Sequence, residues 1–208
     1  MPITVLLDWL RGLNRELFYA VNGIRGDSLD FIMLLGTRIG DFWNAPWIIS
    51  AMLCFIAIRR FFPKSAAIDW LPEQHTLVKT MLVFLAGFVL AAMIVALIKI
   101  GYDKPRPLAA MTLGTVHVLA QRELNHSFPS GHAAFAMLIV SVFWPYCRYR
   151  WRALLVLFAM WVGISRVSVG AHFPIDVIAG YLCGGVSGWV AANALTLLSS
   201  ARFVSRRI

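Results

Sequence analysis

Apolar residues in this chain gather into long blocks separated by short basic connections, and the block lengths predict helices that cross a bilayer. The pattern predicts spans over Phe42–Ile58, Thr80–Ile98, Ala133–Trp144, Ala153–Ile164 running on towards Val169, and Ile175–Leu198. Upstream, Val5, Leu6, Trp9, Leu10, Leu13, Leu17 and Phe18 recur at helical spacing with Arg11, Asn14 and Arg15 between them, which predicts an amphipathic helix lying in the membrane interface. Asn22–Gly26 reads as a turn, and Ser28–Gly40 as a second helical run broken by Arg38, too short to cross by itself. The fold expected is all-α: a polytopic transmembrane helix bundle of five spans, with a sixth left open by the N-terminal runs. The chain reads as a single domain over 1–208, with short and amphipathic helices in 1–40 and a transmembrane core in 42–198.

Composition agrees. Of 208 residues 60% are hydrophobic and only 14% charged, which excludes an ordinary soluble domain. The net charge of +9 raises the question of nucleic acid, but the Lys and Arg residues stand at the ends of apolar runs instead of along one face, so no nucleic-acid partner is expected. Arg59 to Lys79, including Lys64, then Arg148 to Arg152, then the tail with Arg202, Arg206 and Arg207 are the basic connections, and the positive-inside rule puts them in the cytoplasm. Lys99–Phe128 and Arg166–His172 then share the opposite face. The start of the chain lacks the uninterrupted apolar core of a cleavable signal peptide. Cys54, Cys147 and Cys183 are scattered without metal-ligand spacing and read as lipid-facing or packing residues.

The charges on that opposite face do not serve topology and call for another explanation. They fall in three clusters: Lys99 and Arg106-Pro107; Pro129-Ser130-Gly131-His132; and Arg166 with His172 and Asp176. Singly, each has a plain structural reading, as a snorkelling helix end, a loop proline or a helix cap. Together they supply three fixed cations, two of them guanidinium forks matched to phosphate oxygens. Ser130 adds a hydroxyl and the free amides of a helix start, and Gly131 permits close approach of backbone. His172, with Asp176 one helical turn further on to fix its tautomer, is placed to attack phosphorus; His132 is placed to protonate the leaving oxygen and later to activate water. Carboxylates are too sparse for a two-metal centre, and neither metal nor cofactor is expected.

Lys99-x6-Arg106-Pro107, Pro129-Ser130-Gly131-His132 and Ser165-Arg166-x5-His172-x3-Asp176 together resemble the three-part signature of the type-2 phosphatidic acid phosphatase superfamily. The resemblance implies a helical membrane bundle, a phosphohistidine at His172, acid catalysis by His132, and phosphate binding by Lys99, Arg106, Ser130, Gly131 and Arg166. The short loops are most similar to small bacterial members that recycle polyprenyl carriers. They imply undecaprenyl diphosphate as substrate, at the outer face of a bacterial inner membrane, with phosphatidylglycerophosphate and lipid A phosphates as alternatives.

Two rivals stand beside hydrolysis: transfer of the phosphoryl group to a second lipid, and a transporter or binding protein that holds a phosphorylated lipid without turnover. A vanadate-dependent peroxidase shares the anion chemistry but does not suit so apolar a chain. His117, Arg122, Glu123 and His126 read as solvated loop residues near the headgroup, and His75 as non-catalytic. Trp43, Trp47, Trp144 and Trp151 read as interfacial belt residues, and Gly184, Gly185 and Gly188 as close-packing positions. Oligomeric state has no signal in the sequence.

Overall fold

The computed structural model describes residues 3–63, 69–112, 114–119 and 123–205, with side chains over 9–199 of these. Lys64, Arg122, Arg206 and Arg207 lie outside the described residues, as does the side chain of Arg202. Among the described residues eight α-helices follow one another: α1 (Ile3–Asn22), α2 (Asp27–Ile39), α3 (Ala45–Phe61), α4 (Gln74–Gly101), the single turn α5 (Pro107–Ala110), α6 (Gly131–Phe143), α7 (Tyr149–Ser168) and α8 (Pro174–Ser205). No strand occurs among the described residues.

Among the described residues four segments are long and apolar enough to cross a membrane: Phe42–Phe61, Gln74–Gly101, Tyr149–Ser168 and Pro174–Ser199. Gly131–Tyr146 is a shorter apolar helix between them. It is the centre of the bundle, with Ala133, Ala134, Phe135, Ala136, Leu138, Val140 and Val142 all buried. A helix enclosed by neighbours has no need to match the bilayer's thickness by itself. Around it the outward faces are apolar: Val89, Met93 and Leu97 on α4, Leu157 and Met160 on α7, and Leu182, Val186 and Trp189 on α8 are exposed. In water such a surface invites aggregation, whereas acyl chains cover it without cost.

Several boundaries differ from the sequence pattern. Arg38 does not break α2, because it stands in the last turn, where a cation is favoured by the helix dipole. The polar stretch Gln74–Lys79, expected as connection, is the first turn and a half of α4. Amphipathic α1 does form, yet it uses part of its polar face to dock on protein. Phe18 is fully buried, 5.4 Å from Phe173 between ring centroids, while Trp9, Leu10 and Leu17 stay exposed. Asn14 Oδ1 accepts from the Ile175 amide, and Asn22 donates to the carbonyls of His117 and Ser168. These bonds tie α1 to the ends of α7 and α8.

The closest helix pair is α6 with α8. Gly180, Gly184 and Gly188 recur every four residues, so they form one stripe. A Cβ at these positions would meet the Ser130 carbonyl, the Ala134 carbonyl and the Ser141 hydroxyl respectively. Gly185, expected as a packing position, lies off the stripe, since a Cβ there would find only ordinary contact with Met137 at 3.6 Å. Backbone contact of this kind lets two helices gain dispersion energy where the hydrophobic effect between them is absent. On the other side, Phe42, Phe84, Phe88 and Phe135 make an aromatic cluster with centroid separations of 5.3 to 6.4 Å.

Candidate active site

At one end of the bundle the termini of four helices meet. Lys99 comes from the last turn of α4, Gly131 and His132 open α6, Arg166 ends α7, and His172 lies in the turn before α8. With Arg106 these residues line one cavity of about 380 Å³ whose remaining wall is Phe42, Ala92, Val95, Ala96 and Glu123. Six of the eight site residues expected from the sequence therefore share a single pocket, charged at its base and apolar along α4. The other two, Ser130 and Asp176, are fully buried behind it. Ser130 caps α6 through its hydroxyl, which accepts from the Ala133 amide at 3.5 Å. It thereby aims the free amides of the helix start, an anion-favouring feature, towards the cavity mouth.

His172 is 1% exposed. Its Nδ1 lies 2.6 Å from the Ser127 carbonyl oxygen. A carbonyl can only accept, so Nδ1 carries the proton and the Nε2 lone pair is free to act as a nucleophile. Burial, with Arg166, Arg106 and Lys99 nearby, holds the imidazole pKa well below its ordinary value. At neutral pH the ring is uncharged, which a nucleophile requires.

Asp176 does not act as the i,i+4 spacing suggested. Its nearest oxygen is 3.9 Å from His172 Nδ1, beyond hydrogen-bond range, because His172 precedes the helix that starts at Pro174 and the pair does not share a helical turn. Asp176 is instead a buried hub. One oxygen accepts from Lys104 Nζ at 2.6 Å; the other accepts from the Ser127 hydroxyl at 2.6 Å and the Phe173 amide at 3.0 Å. It clamps both residues that frame the imidazole. Lys104 and Ser127 were not among the expected site residues. Lys104 lies inside the first motif and Ser127 two residues before the second, but only the fold shows that they converge on one carboxylate.

Arg106 is held at every nitrogen. Nε donates to the Asn125 carbonyl at 3.0 Å, Nη1 to the Ala171 carbonyl at 3.3 Å, and Nη2 pairs with Glu123. Burial lowers its pKa, but a guanidinium keeps its charge through the neutral range. Glu123 remains half-exposed, as a solvated loop residue would, and also pairs with Arg106. It occupies a fork that a phosphate would use. Arg166 is 5% exposed and its Nε is buried without a protein partner. A buried donor left open on a cavity wall is suited to an anionic oxygen. His117 and His126 take no part in the cavity lining. His117 is 3.4 Å from Asp30, and His126 pins the loop to the α4 end through the Lys99 carbonyl at 3.2 Å.

Residues 80–198, more than half the chain, match the PAP2 superfamily. The chain belongs to that superfamily. Undecaprenyl-diphosphatase BcrC of Bacillus subtilis is 29% identical over 181 residues, covering 86% of this chain and 82% of that protein. A lipid A 1-phosphatase of Rhizobium etli is 29% identical over 167 residues, covering 73% of this chain and 66% of its own length. Among solved structures, LpxE of Aquifex aeolicus superimposes with a TM-score of 0.70 at 25% identity, covering 87% of this chain and 95% of that one. As a PAP2 protein with transmembrane helices and the full set of motif residues, the chain is a membrane phosphohydrolase.

Proposed function

We propose that the protein removes the terminal phosphate of a lipid phosphate or diphosphate through a phosphohistidine on His172, and that undecaprenyl diphosphate is its substrate. Nε2 of His172 attacks phosphorus in line; the new N–P bond forms as the bond to the lipid oxygen breaks, and His132 passes its proton to that oxygen. His132 then takes a proton from water, whose oxygen displaces His172 and releases inorganic phosphate. Lys99, Arg106, Arg166 and the α6 amides around Gly131 hold the equatorial oxygens, the charge-stabilising part of the reaction. The observation that carries this reading is the tautomer of His172, set by the Ser127 carbonyl so that a lone pair faces a cationic pocket.

The substrate assignment rests on the likeness to the undecaprenyl-diphosphatase and on the cavity's apolar side along α4, against which a polyprenyl chain can lie while its headgroup enters. The likeness to lipid A phosphatases keeps lipid A phosphates as a second candidate, followed by phosphatidylglycerophosphate. The basic connections at the opposite end of the bundle support an active site on the outer face of a bacterial inner membrane. Phosphate release from the three lipids in detergent, compared at equal concentration, tests the order. Preference for lipid A over undecaprenyl diphosphate overturns the substrate assignment. Loss of lipid phosphate without inorganic phosphate would indicate transfer to a second lipid. Absence of a covalent label on His172 from radiolabelled substrate, with His172→Ala as control, would leave a binding protein.

A further inference from the structure

The N-terminal part of the chain, upstream of the segment that matches the family, touches the catalytic end of the bundle through α1 and also supplies a piece of the cavity wall, Phe42. Phe42 stands in the turn between α2 and α3. Gly36 and Gly40, four residues apart on α2, face α7: a Cβ at Gly36 would press on Trp161 and Ser165, and one at Gly40 on Val162. Thr37 and Ser165 hydroxyls are 3.1 Å apart, and Trp161 Nε1 donates to the Ile32 carbonyl. The turn itself is built. Asn44 donates to the Arg38 and Ile39 carbonyls at 2.6 and 2.9 Å, closing the end of α2. Asp41 Oδ1 accepts from the Trp43 amide at 3.0 Å. That bond turns the second oxygen towards the cavity, where Oδ2 lies 3.6 Å from His132 Nε2.

That Nε2 atom is buried and has no hydrogen-bond partner. The side chain is nonetheless 21% accessible, so the open part of the ring is another edge. From the remaining elements only cations and one further imidazole and carboxylate face this site: Lys99 on α4, Arg166 on α7, Arg106 and Glu123 from the loop, and His172. Asp41 is the carboxylate aimed at Nε2. The attraction also acts on Asp41, whose pKa is lowered first of all by His132.

We infer that Asp41 is a positioning residue for the acid histidine: its carboxylate is the ion-pair partner of the Nε2 edge of His132, offsets part of the burial and cation repulsion that disfavour the charged ring, and leaves Nδ1–H for the leaving oxygen. This rests on the phosphatase reading above. In the step it serves, the P–O bond to the lipid breaks, the electron pair goes to the oxygen, and the Nδ1 proton follows, leaving a neutral His132 with its Nε2–H facing Asp41. Without the carboxylate, the imidazolium stands among Lys99, Arg166 and Arg106 with Glu123, already paired with Arg106, as the remaining carboxylate of the cavity, and the acid form becomes scarcer.

The test compares leaving groups. Full-length wild type, Asp41→Asn and Asp41→Glu in detergent are assayed on dodecyl phosphate, whose alkoxide must be protonated, and on 4-nitrophenyl phosphate, whose phenolate leaves unaided. Asp41→Asn should lose about ten- to a hundredfold in kcat on the alkyl ester with KM little changed, and less than about threefold on the nitrophenyl ester. The alkaline limb of its pH–rate profile should move to lower pH, and Asp41→Glu should recover part of the loss. Retained turnover of the nitrophenyl ester also shows that the variant is folded. An equal loss on both esters, or none on the alkyl ester, overturns the role of Asp41 while leaving the phosphatase reading standing. A wild type that releases phosphate from neither ester removes that reading, and the inference with it.

Discussion

The Nδ1 of His172 lies 2.6 Å from the Ser127 carbonyl oxygen and 3.9 Å from the nearer carboxylate oxygen of Asp176. The main chain, not the acid, therefore sets the imidazole tautomer, and Asp176 acts by holding the main chain. Asp176→Asn should accordingly behave differently from a variant that deletes a tautomer-fixing partner. The Ser127 carbonyl remains, so kcat should fall by roughly tenfold to a hundredfold and not by the ~10⁴ seen when a base is left in the wrong tautomer. Stability should fall too, by about 2–4 kcal/mol, as the three charge-assisted hydrogen bonds to the carboxylate are weakened or lost. Steady-state kinetics and thermal unfolding in the same detergent measure both. A collapse of kcat to the level of His172→Ala with unchanged stability would favour a direct acid–base pair.

Lys104 supplies the counter-charge to that hub. It reaches Asp176 at 2.6 Å with its ammonium also 5.0 Å from the centre of the Phe173 ring. Lys104→Met removes the cation and leaves a fully buried carboxylate, a change that typically destabilises by about 3–5 kcal/mol. Lys104→Arg keeps the charge and should restore most of the loss. The two melting temperatures decide whether the residue is a structural counter-ion or a loop cation of no consequence.

How much of this was legible beforehand depends on how the information is stored. Bundle class and span positions follow from runs of apolar residues, which any local window captures. Six cavity residues follow because their chemical types and spacing form a signature within the central stretch from Lys99 to Asp176. Contacts between distant segments are another matter. Nothing in the spacing ties Asp41 to His132, ninety-one positions apart, or shows that Lys104 and Ser127 share one carboxylate. The Asp176 assignment failed on local geometry: four residues imply a shared face only inside a helix, and this helix begins two residues after His172. Glu123 was read as solvated because a loop carboxylate usually is; it is half-exposed, and only the placement of Arg106 shows that it also forms an ion pair.

The state of His172 gives a prediction for stability against pH. Its folded pKa lies well below the ordinary 6.5, chiefly through burial, so below that value the unfolded chain binds a proton that the folded chain refuses. The contribution of the neutral ring is complete above about pH 6.5 and is lost as pH falls. Unfolding midpoints measured from about pH 7.5 down to about pH 5 should therefore decline more steeply for wild type than for His172→Gln, which has no group to protonate there. Parallel slopes would mean that the ring is hydrated and titrates normally.

Charge neutralisation by Lys99, Arg106 and Arg166 predicts that phosphate release survives prolonged treatment with EDTA. In the proposed mechanism their positive charge and the α6 amides supply the stabilisation that a divalent ion gives in other phosphoryl-transfer sites. Rates before and after chelation, and after magnesium is added back, are the measurement. Restoration by magnesium of an activity lost to EDTA would show that these side chains are insufficient.

The glycine stripe on α8 links packing to catalysis. A Cβ at Gly180 would strike the Ser130 carbonyl, and Ser130 caps the helix that carries His132. Gly180→Ala should therefore push the start of α6 away from α8, with two consequences. Overpacking of a tight interface costs about 1–3 kcal/mol, and the displaced helix start moves the amides and the acid histidine relative to His172, lowering kcat. Gly184→Ala meets the Ala134 carbonyl one turn deeper and should destabilise by a similar amount, with less effect on kcat because it lies further from the cavity. Gly185→Ala is the matched control. Its Cβ would find only ordinary contact with Met137, so the variant should be as stable as wild type or slightly more, since alanine is the better helix former. If the three variants melt alike and turn over alike, close approach of α6 and α8 is not what places His132.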